Sequence, residues 1–388
     1  MNTDVLTQCM TVCRLSLLSL RLRWSSSVVI FIGMTCVVGV LLSMLSMTAG
    51  MLRASQLDGD STHVILLPTE SGSEFGTGIP RSSVATLLDG PGIAREASGR
   101  PLIDGEFLFW VPPTEGFTGG SLYLRGIGAA GIALRPRFRV VAGRLFSPGR
   151  QEVIVGKNAE RLFDLPLGGS VIMPGGAWPI VGVFSNGGGL LESQLMADGE
   201  TVMSAARLSS FGSVLVGLKT PADFEPFKKW VANKPELAVN IERQSAYYVR
   251  TADETTAFFT AVALAVGGIM TLGALFGSLR ILYTTVSLRR FEIATLRAIG
   301  YQALAVASSV VLEALVLSLT GALAGAWLAW CLFDGRHVAY FRNVFDLSVT
   351  PGLLELGIIW SIVVALIGAV LPALRAARLP VAEALCLL

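Results

Sequence analysis

Few side chains in this sequence could carry out catalysis, and their spacing argues against a catalytic site. The chain has two histidines, His63 and His337, so a Ser–His–Asp triad would have to use one of them. Ser61 lies two residues before His63, which is too close for the usual geometry of a nucleophile and its base. A GxxxxGK[ST] phosphate-binding loop does not occur either. We therefore predict that the chain is not an enzyme and that it binds no nucleotide itself.

The cysteines predict neither a metal site nor a bound cofactor. Cys9 and Cys13 are one helical turn apart and could form a ligand or redox pair, but no second pair of ligands lies near them. The simpler interpretation is two small apolar side chains on one helix face. HExxH and CxxC patterns do not occur. Residues 51–256 contain no cysteine, so an ordinary core rather than a disulfide must stabilise that region.

The composition indicates a membrane protein. Of the 388 residues, 52% are hydrophobic and only 15% are charged, whereas soluble domains have about 25% charged residues. The mean hydropathy of +0.63 excludes disordered and fibrous chains. The net charge of +2 is too small to attract a polyanion, so we expect no nucleic-acid partner.

Four segments are long and apolar enough to cross a membrane, since a spanning helix needs about 20 apolar residues. They cover residues 28–50, 257–279, 303–333 and 356–374. The first segment follows basic residues, as a signal peptide would. However, it is longer than the apolar core of about 7–15 residues that signal peptides have, so we predict a retained span.

The distribution of basic residues predicts the orientation of these spans, because short loops rich in Lys and Arg favour the cytoplasmic side. Such residues occur in the N-terminal segment 1–27, in the loop 280–302 and in the tail 375–388. The segment 51–256 and the short loop 334–355 are then extracytoplasmic. We thus predict a multi-pass protein of the inner (plasma) membrane with both termini in the cytoplasm.

Two features inside the spans indicate more than membrane insertion. Glu313 lies about 15 Å along the third span at 1.5 Å per residue, a depth at which a carboxylate is costly and often functional. It could bind a proton or substrate, or form a structural hydrogen bond. We favour the structural role because the spans contain no second charged residue.

Small residues four apart predict close helix packing, within the bundle or between subunits, at Gly273 and Gly277 and at Gly321 and Gly325.

The extracytoplasmic segment alternates strand and helix patterns, which predicts a mixed α/β domain. Its two ends, about 51–120 and 210–250, form one folding region, and a strand-rich part of about 121–209 is inserted between them. Strands are predicted over 63–67, 152–156, 170–173, 178–184, 213–218 and 235–241. Helices are predicted over 158–163 and 221–231, and a capped helix over 84–88.

The cytoplasmic loop carries the most informative segment, residues 287–300. It has the pattern of a short amphipathic helix with Gly300 at its C-terminal end. It could be a basic anchor at the lipid head groups, or a helix that docks on a cytoplasmic partner. Its distinctive residues are three arginines, one acid and two apolar side chains: Arg289, Arg290, Arg297, Glu292, Phe291 and Ile293.

This loop resembles the signature of the FtsX/MacB-like permeases, the membrane subunits of type VII ABC systems. Residues 289–300 fit the family pattern R-x-x-E-I-A-x-L-R-A-x-G, and residues 372–385 fit its usual terminal pattern. Residues 143–146 and 152–157 are similar to its periplasmic core domain. The resemblance covers nearly the whole chain and implies one span, a large MacB-like periplasmic core domain, and then three further spans.

The resemblance also implies partners and a mechanism. The permease would form a dimer with a second copy or a paralogue, and a separate ABC ATPase subunit would bind the ATP. Arg289, Arg290 and Arg297 would make charge contacts with that ATPase, Phe291 and Ile293 would anchor it, and the coupling motif includes Glu292. A surface helix around residues 12–24 would precede the first span. The outer domains would move to export or extract a substrate at the outer face of the membrane, with a periplasmic adaptor and an outer-membrane channel as further candidate partners.

Three other functions remain open from the sequence. The same motion could drive no transport and instead regulate a cell-wall hydrolase or a sensor. The chain could be a surface or intramembrane enzyme, although the missing catalytic residues argue against it. It could also be a membrane scaffold, in which case replacing the loop arginines would affect no ATPase.

Overall fold

A computed structural model describes residues 8, 10–14, 24–75, 78–111, 122–340 and 343–378 of the chain. Parts of the predicted N-terminal segment and surface helix, and the second half of the terminal motif, lie outside these residues. The chain divides into a helical unit (Met1–Ala49, Ala257–Gly335 and Ser348–Leu388) and an outer unit (Gly50–Thr256 and Arg336–Leu347).

Nine helices are bounded within the described residues. They are α1 (Trp24–Asp58), α2 (Arg81–Leu87), α3 (Lys157–Phe163), α4 (Gly199–Ala206), α5 (Phe224–Ala232), α6 (Gln244–Leu288), α7 (Arg290–Ala298), α8 (Ala303–Phe333) and α9 (Pro351–Ala377). Four of them are long and apolar enough to cross a membrane, at Ser27–Asp58, Gln244–Leu288, Ala303–Phe333 and Pro351–Ala377. One helix therefore corresponds to each predicted span.

Two of these helices run well beyond the predicted spans. The 35-residue α1 continues past residue 50, and the 45-residue α6 begins before residue 257 and ends after residue 279. The extensions are too polar for hydropathy to detect. The extension of α6 before residue 257 carries an ion pair one turn apart, with Arg250 Nη1 3.0 Å from Glu254 Oε1. Parts of the predicted segments 51–256 and 280–302 are therefore continuous with spanning helices.

Fourteen strands are described: β1 (His63–Pro68), β2 (Ile79–Pro80), β3 (Ile103–Val111), β4 (Leu122–Ile127), β5 (Arg139–Gly143), β6 (Val153–Gly156), β7 (Ser170–Met173), β8 (Gly176–Ser185), β9 (Leu195–Asp198), β10 (Ser210–Phe211), β11 (Ser213–Gly217), β12 (Val239–Arg243), β13 (His337–Tyr340) and β14 (Asn343–Asp346). Ten of them form one sheet in the order β12-β1-β11-β3-β4-β9-β6-β8-β5, with β7 also paired to β8. The predicted strand over 235–241 is a 3-10 turn followed by β12.

The long strand β3 joins the two halves of this sheet. Residues 103–106 pair with β11, whereas residues 107–111 pair with β4. The strands on the β11 side come from the two ends of the outer segment, and those on the β4 side come from the inserted part. The two predicted regions thus share one sheet and form one compact unit.

Packing in the outer unit follows the apolar pattern of its elements. Every residue of β1, β6, β9 and β11 is buried. Helix α5 buries Phe224, Phe227 and Val231, the face predicted from their spacing. Helix α2 lacks the predicted side-chain cap, because Pro80 occupies the capping position and the serines fall inside the first turn. The loop between α8 and α9 contains the β13–β14 hairpin, whose Phe345 is fully buried.

Candidate functional site

Helix α7 is the segment predicted to dock on a cytoplasmic partner, and it has two different faces. Arg289 breaks the helix between α6 and α7, with φ of −91° and ψ of 4°. Gly300 follows α7 with φ of +108°, a conformation that glycine adopts without strain. On the inner face, Ile293 is buried in one core cluster that includes side chains from all four long helices: Ile30, Leu282, Val286, Val306, Val310, Ala314, Ala369, Ala373 and Ala376.

Arg289 points to the same inner side and contacts Glu313. Its Nη1 lies 3.7 Å from Glu313 Oε2, and its Nε lies 3.0 Å from Glu292 Oε2. The side chain of Arg289 is 11% exposed and that of Glu313 is 8% exposed, whereas Glu292 is 59% exposed. Glu313 thus has a cationic neighbour from the loop, which the sequence pattern alone did not show. Because a charge removed from water needs a partner, this geometry supports a structural role for both residues.

The other inner contact of the loop is made by Arg297. Its guanidinium donates to the backbone carbonyl of Ala377, at 2.9 Å, where α9 ends. The last carbonyls of a helix have no partner within the helix, so a basic side chain there stabilises the end. On the N-terminal side, Val12 is buried and lines the same small cavity as Arg289 and Glu313. The loop is therefore held by α8, by α9 and by the N-terminal segment.

The face of α7 that points away from the helical core is exposed and combines apolar and basic side chains. Phe291 is 51% exposed and Ile299 is 72% exposed, and Leu288 at the end of α6 is 77% exposed. Arg290 lies beside them and is also exposed. We call these four residues the docking face. Three of the six predicted coupling residues are solvent-exposed: Arg290, Phe291 and Glu292. The other three point into the helical unit: Arg289, Ile293 and Arg297.

The four predicted packing glycines also fall into two groups. A Cβ atom on Gly321 would lie 3.0 Å from Met34 Cβ, and one on Gly325 would lie 2.5 Å from the Thr35 carbonyl oxygen. Helix α1 therefore crosses α8 at close range. Gly273 and Gly277 have no neighbour within 4 Å of such an atom and line an apolar cleft of about 320 Å³ between α1 and α6.

This difference predicts opposite effects of two matched substitutions. Gly321→Leu should lower the stability of the full chain in detergent by about 1–3 kcal/mol or more, because α1 backbone would have to move. Gly273→Leu should leave that stability within about 0.5 kcal/mol, because the cleft has room. Thermal unfolding followed by tryptophan fluorescence checks both variants. An equal loss of stability in the two would contradict the open cleft.

The outer unit contains a buried ionic cluster that the sequence analysis missed. Glu106 Oε2 accepts from Arg125 Nη1 at 2.9 Å and from Arg135 Nη2 at 2.7 Å, and Arg125 Nη1 also donates to Glu74 Oε2 at 2.8 Å. All four side chains are at most 7% exposed. Asp104 lies beside them and accepts from the Gly128 N–H at 2.8 Å. The sequence contained one signal for this cluster, because β3 and β4 carry charged residues among apolar ones.

The environment of this cluster shifts two carboxyl pKa values in opposite directions. Burial alone would raise the pKa of Glu106, but the guanidiniums of Arg135 and Arg125 outweigh it and hold that pKa below its ordinary value. Burial, together with the neighbouring Glu106 carboxylate, raises the pKa of Asp104 to about 8. Asp104 is therefore mainly protonated at pH 7, next to an ionised Glu106.

The raised pKa of Asp104 predicts a pH-dependent difference between the native chain and Asp104→Asn. The pKa rises from 3.8 to about 8 on folding, so the folded state binds a proton that the unfolded state has lost between these values. Native stability should then fall as pH rises from about 4 to about 8, by up to about 1.4 kcal/mol per pH unit. Asn does not titrate, so the stability of Asp104→Asn relative to the native chain should grow between pH 5 and pH 8. Parallel denaturation curves at all pH values would contradict this assignment.

Comparison with known proteins gives the family. The family model described as the MacB-like periplasmic core domain matches residues 27–234, more than half of the chain. The model described as FtsX-like permease C-terminal matches residues 257–381. The chain belongs to the FtsX/MacB type of ABC transporter permeases.

This permease is similar to another permease in sequence and to the outer domains of solved structures. It is 26% identical over 268 residues to the uncharacterized ABC transporter permease YknZ of Bacillus subtilis (strain 168). That match covers 64% of this chain and 66% of YknZ, so the chain spans just under two thirds of the relative's length. Among solved structures, the periplasmic region of MacB from Actinobacillus actinomycetemcomitans is 15% identical, with 49% of this chain and 92% of that chain covered and a TM-score of 0.39. The extracellular domain of the noncanonic ABC-type transporter YknZ from Gram-positive bacteria is also 15% identical, with 46% and 99% covered and a TM-score of 0.35.

The permease carries its docking face and its ionic cluster on separate units. Within its described residues, no group of three or more His, Cys, Asp and Glu side chains could hold a metal ion. His63 is buried, with Nδ1 3.3 Å from Gln244 Oε1, and His337 pairs with Asp346 across the β13–β14 hairpin. Among the described residues, the side-chain partners of the two histidines are therefore Gln244 and Asp346, not a serine.

Proposed function

We propose that this permease couples ATP hydrolysis by a separate ATPase subunit to movement of its outer unit, for export or extraction of a substrate at the outer face of the inner membrane. The observation that carries the proposal is the division of α7 into a buried inner face and an exposed docking face. A partner that binds Arg290 and Phe291 moves a helix whose other side is locked into the core through Ile293. ATP would then favour one packing of the long helices over another.

Two unbroken helices would carry this movement outward. Helices α1 and α6 each continue from the helical unit into residues of the outer unit. Within the outer unit, Asp58 at the end of α1 accepts from Asn186 Nδ2 at 2.7 Å and from the Leu191 N–H at 2.9 Å. Ser193 in the same segment bonds both backbone groups of Val344 in the β13–β14 hairpin. A displacement of α1 would therefore pull directly on residues 185–193.

The remaining features of the proposal concern assembly and orientation. The permease would act as a dimer with a second copy or a paralogue, with both termini in the cytoplasm. A helix of the second subunit would pack at the apolar cleft beside Gly273 and Gly277, because glycines without a neighbour allow close approach of another helix. The ATP would be bound by the ATPase subunit alone.

The docking face can be tested by a charge reversal that leaves the core intact. Arg290→Glu combined with Phe291→Ala should reduce the ATPase that co-purifies with the full chain by at least about 10-fold, since exposed aromatic and Arg side chains are the usual anchors of interfaces. Arg280→Glu is the matched control, because Arg280 is exposed on α6 about 12 Å before Leu288 at 1.5 Å per residue. An equal loss with both variants, or a native chain that retains no ATPase after cross-linking, would refute the proposal.

A further inference from the structure

Strand β12 forms one end of the ten-stranded sheet and has a free edge. Among the residues that the structure describes, it pairs with β1 alone, in a register that places Val239 opposite Pro68 and Ile241 opposite Leu66. The next pair in this register is bonded, because the Thr69 N–H donates to the Ala238 carbonyl at 3.0 Å. Bonded and non-bonded pairs alternate along an antiparallel ladder. Val239 and Ile241 therefore direct their backbone N–H and C=O groups away from β1, toward the free edge.

An open groove of about 340 Å³ lies between this edge and helix α5. Its apolar walls are formed by Val231 and Ala232 of α5 and by Val239 and Ile241 of β12. Val231 is 4% exposed, whereas both β12 side chains remain half-buried on the rim of the core. A strand edge facing a helix across an apolar groove is the arrangement in which an extended peptide adds to a sheet.

The charges at this groove favour an acidic occupant. Lys228 and Glu242 are the two charged residues among those that line it. Glu242 is already paired, with its Oε1 3.1 Å from Arg250 Nη2. The Lys228 ammonium instead lies over the Phe224 ring, 5.8 Å from the ring centroid, on an exposed part of α5. A carboxylate entering the groove would find this ammonium without having to displace another acid.

We propose that the groove between β12 and α5 binds an extended, acidic segment of another protein, which adds to the sheet as a strand beside β12. The backbone of the segment bonds to the outward groups of Val239 and Ile241. Its alternate apolar side chains pack on Val231, and a carboxylate faces Lys228. Only another polypeptide backbone matches a row of alternating N–H and C=O groups, which a lipid or a small solute does not.

The test uses the full chain in lipid nanodiscs and a displayed decapeptide library. The library has apolar residues at alternate positions and random residues elsewhere, so that the groove selects its own charge pattern. Selection on the native chain should enrich Asp and Glu. Selected peptides should bind Lys228→Glu at least about 5-fold more weakly, and Lys229→Glu within about 2-fold of the native chain. Lys229 is the matched control because it is the next residue of α5, is exposed and does not line the groove.

Hydrogen exchange read at single residues locates the binding. In the free chain the amides of Val239 and Ile241 should exchange quickly and those of Asn240 and Glu242 slowly, because only the latter pair face β1. A bound peptide should slow Val239 and Ile241 selectively. The proposal is overturned if no peptide is enriched, if enrichment shows no acidic preference, or if protection appears elsewhere. It is also overturned if Asn240→Cys forms a disulfide between two copies of the chain in the absence of peptide, since the occupant would then be a second copy.

Discussion

Glu313→Ala should destabilise the full permease by about 3 kcal/mol, because it leaves the Arg289 guanidinium inside the helical unit without its deep carboxylate. Arg289 is 11% exposed, and its other ion pair is with Glu292, whose side chain is 59% exposed and remains available to water. Reversible unfolding of the detergent-solubilised chain measures this change. Glu292→Ala is the control and should cost less than about 1 kcal/mol, as exposed pairs do.

A double-mutant cycle separates the pair from the packing around it. Arg289→Met and Glu313→Leu should each destabilise the chain, whereas the double variant should recover most of the loss, because no buried charge remains unpaired. The coupling energy between the two positions should exceed about 1 kcal/mol. Additive effects of the two single substitutions would show that Arg289 and Glu313 do not interact and would refute the structural role of Glu313.

The buried pair of Arg289 and Glu313 limits which loop substitutions can test ATPase binding. Replacing Arg289, Arg290 and Arg297 together would mix two effects, since only Arg290 belongs to the docking face. Arg289→Glu would place two carboxylates side by side in the core, and Arg297→Glu would remove the donor to the Ala377 carbonyl. A loss of ATPase in the triple variant would therefore report unfolding as well as docking.

The sequence was sufficient for the helical segments because hydropathy acts over about 20 consecutive residues and needs no knowledge of neighbours. It was insufficient for contacts between helices. Gly273 and Gly277 have the same spacing as Gly321 and Gly325, yet only the second pair faces another backbone. Which glycines are in contact depends on the rotation of each helix in the bundle, and four-residue spacing does not determine that rotation.

The outer unit shows the same limit for strands. Alternation and turn residues indicated most strands, and the division into end-derived and inserted parts follows the order of strands in the sheet. The joining role of β3 was not predictable from the sequence. Its first half pairs with β11, which is distant in sequence, whereas its second half pairs with β4, the next strand along the chain. Asp104 and Glu106 appeared as acids in an otherwise apolar strand, but the arginines that neutralise Glu106 lie on β4 and in the following loop.

Glu106→Gln should destabilise the outer unit by about 3–5 kcal/mol, because it removes the carboxylate shared by two buried guanidiniums. Gln preserves the size of the side chain, so the effect reports charge rather than a cavity. Hydrogen exchange of the β3 amides in the full chain measures the loss, and Glu70→Gln is an exposed control.

The adjacent Asp104 should compensate for part of this loss, and the compensation provides a second readout. In Glu106→Gln, repulsion from the Glu106 carboxylate no longer raises the pKa of Asp104. Arg135 continues to lower that pKa. Burial continues to raise the pKa of Asp104, but without the repulsion from Glu106 that pKa should fall, so a larger fraction of Asp104 should be ionised at neutral pH and pair with Arg135. The fall in stability with rising pH should accordingly be weaker in Glu106→Gln than in the native chain. Asp104→Asn should also lower stability more in the Glu106→Gln background than in the native background. If Asp104→Asn has the same effect in both backgrounds, the two carboxyl groups titrate independently and the buried cluster is not an interacting unit.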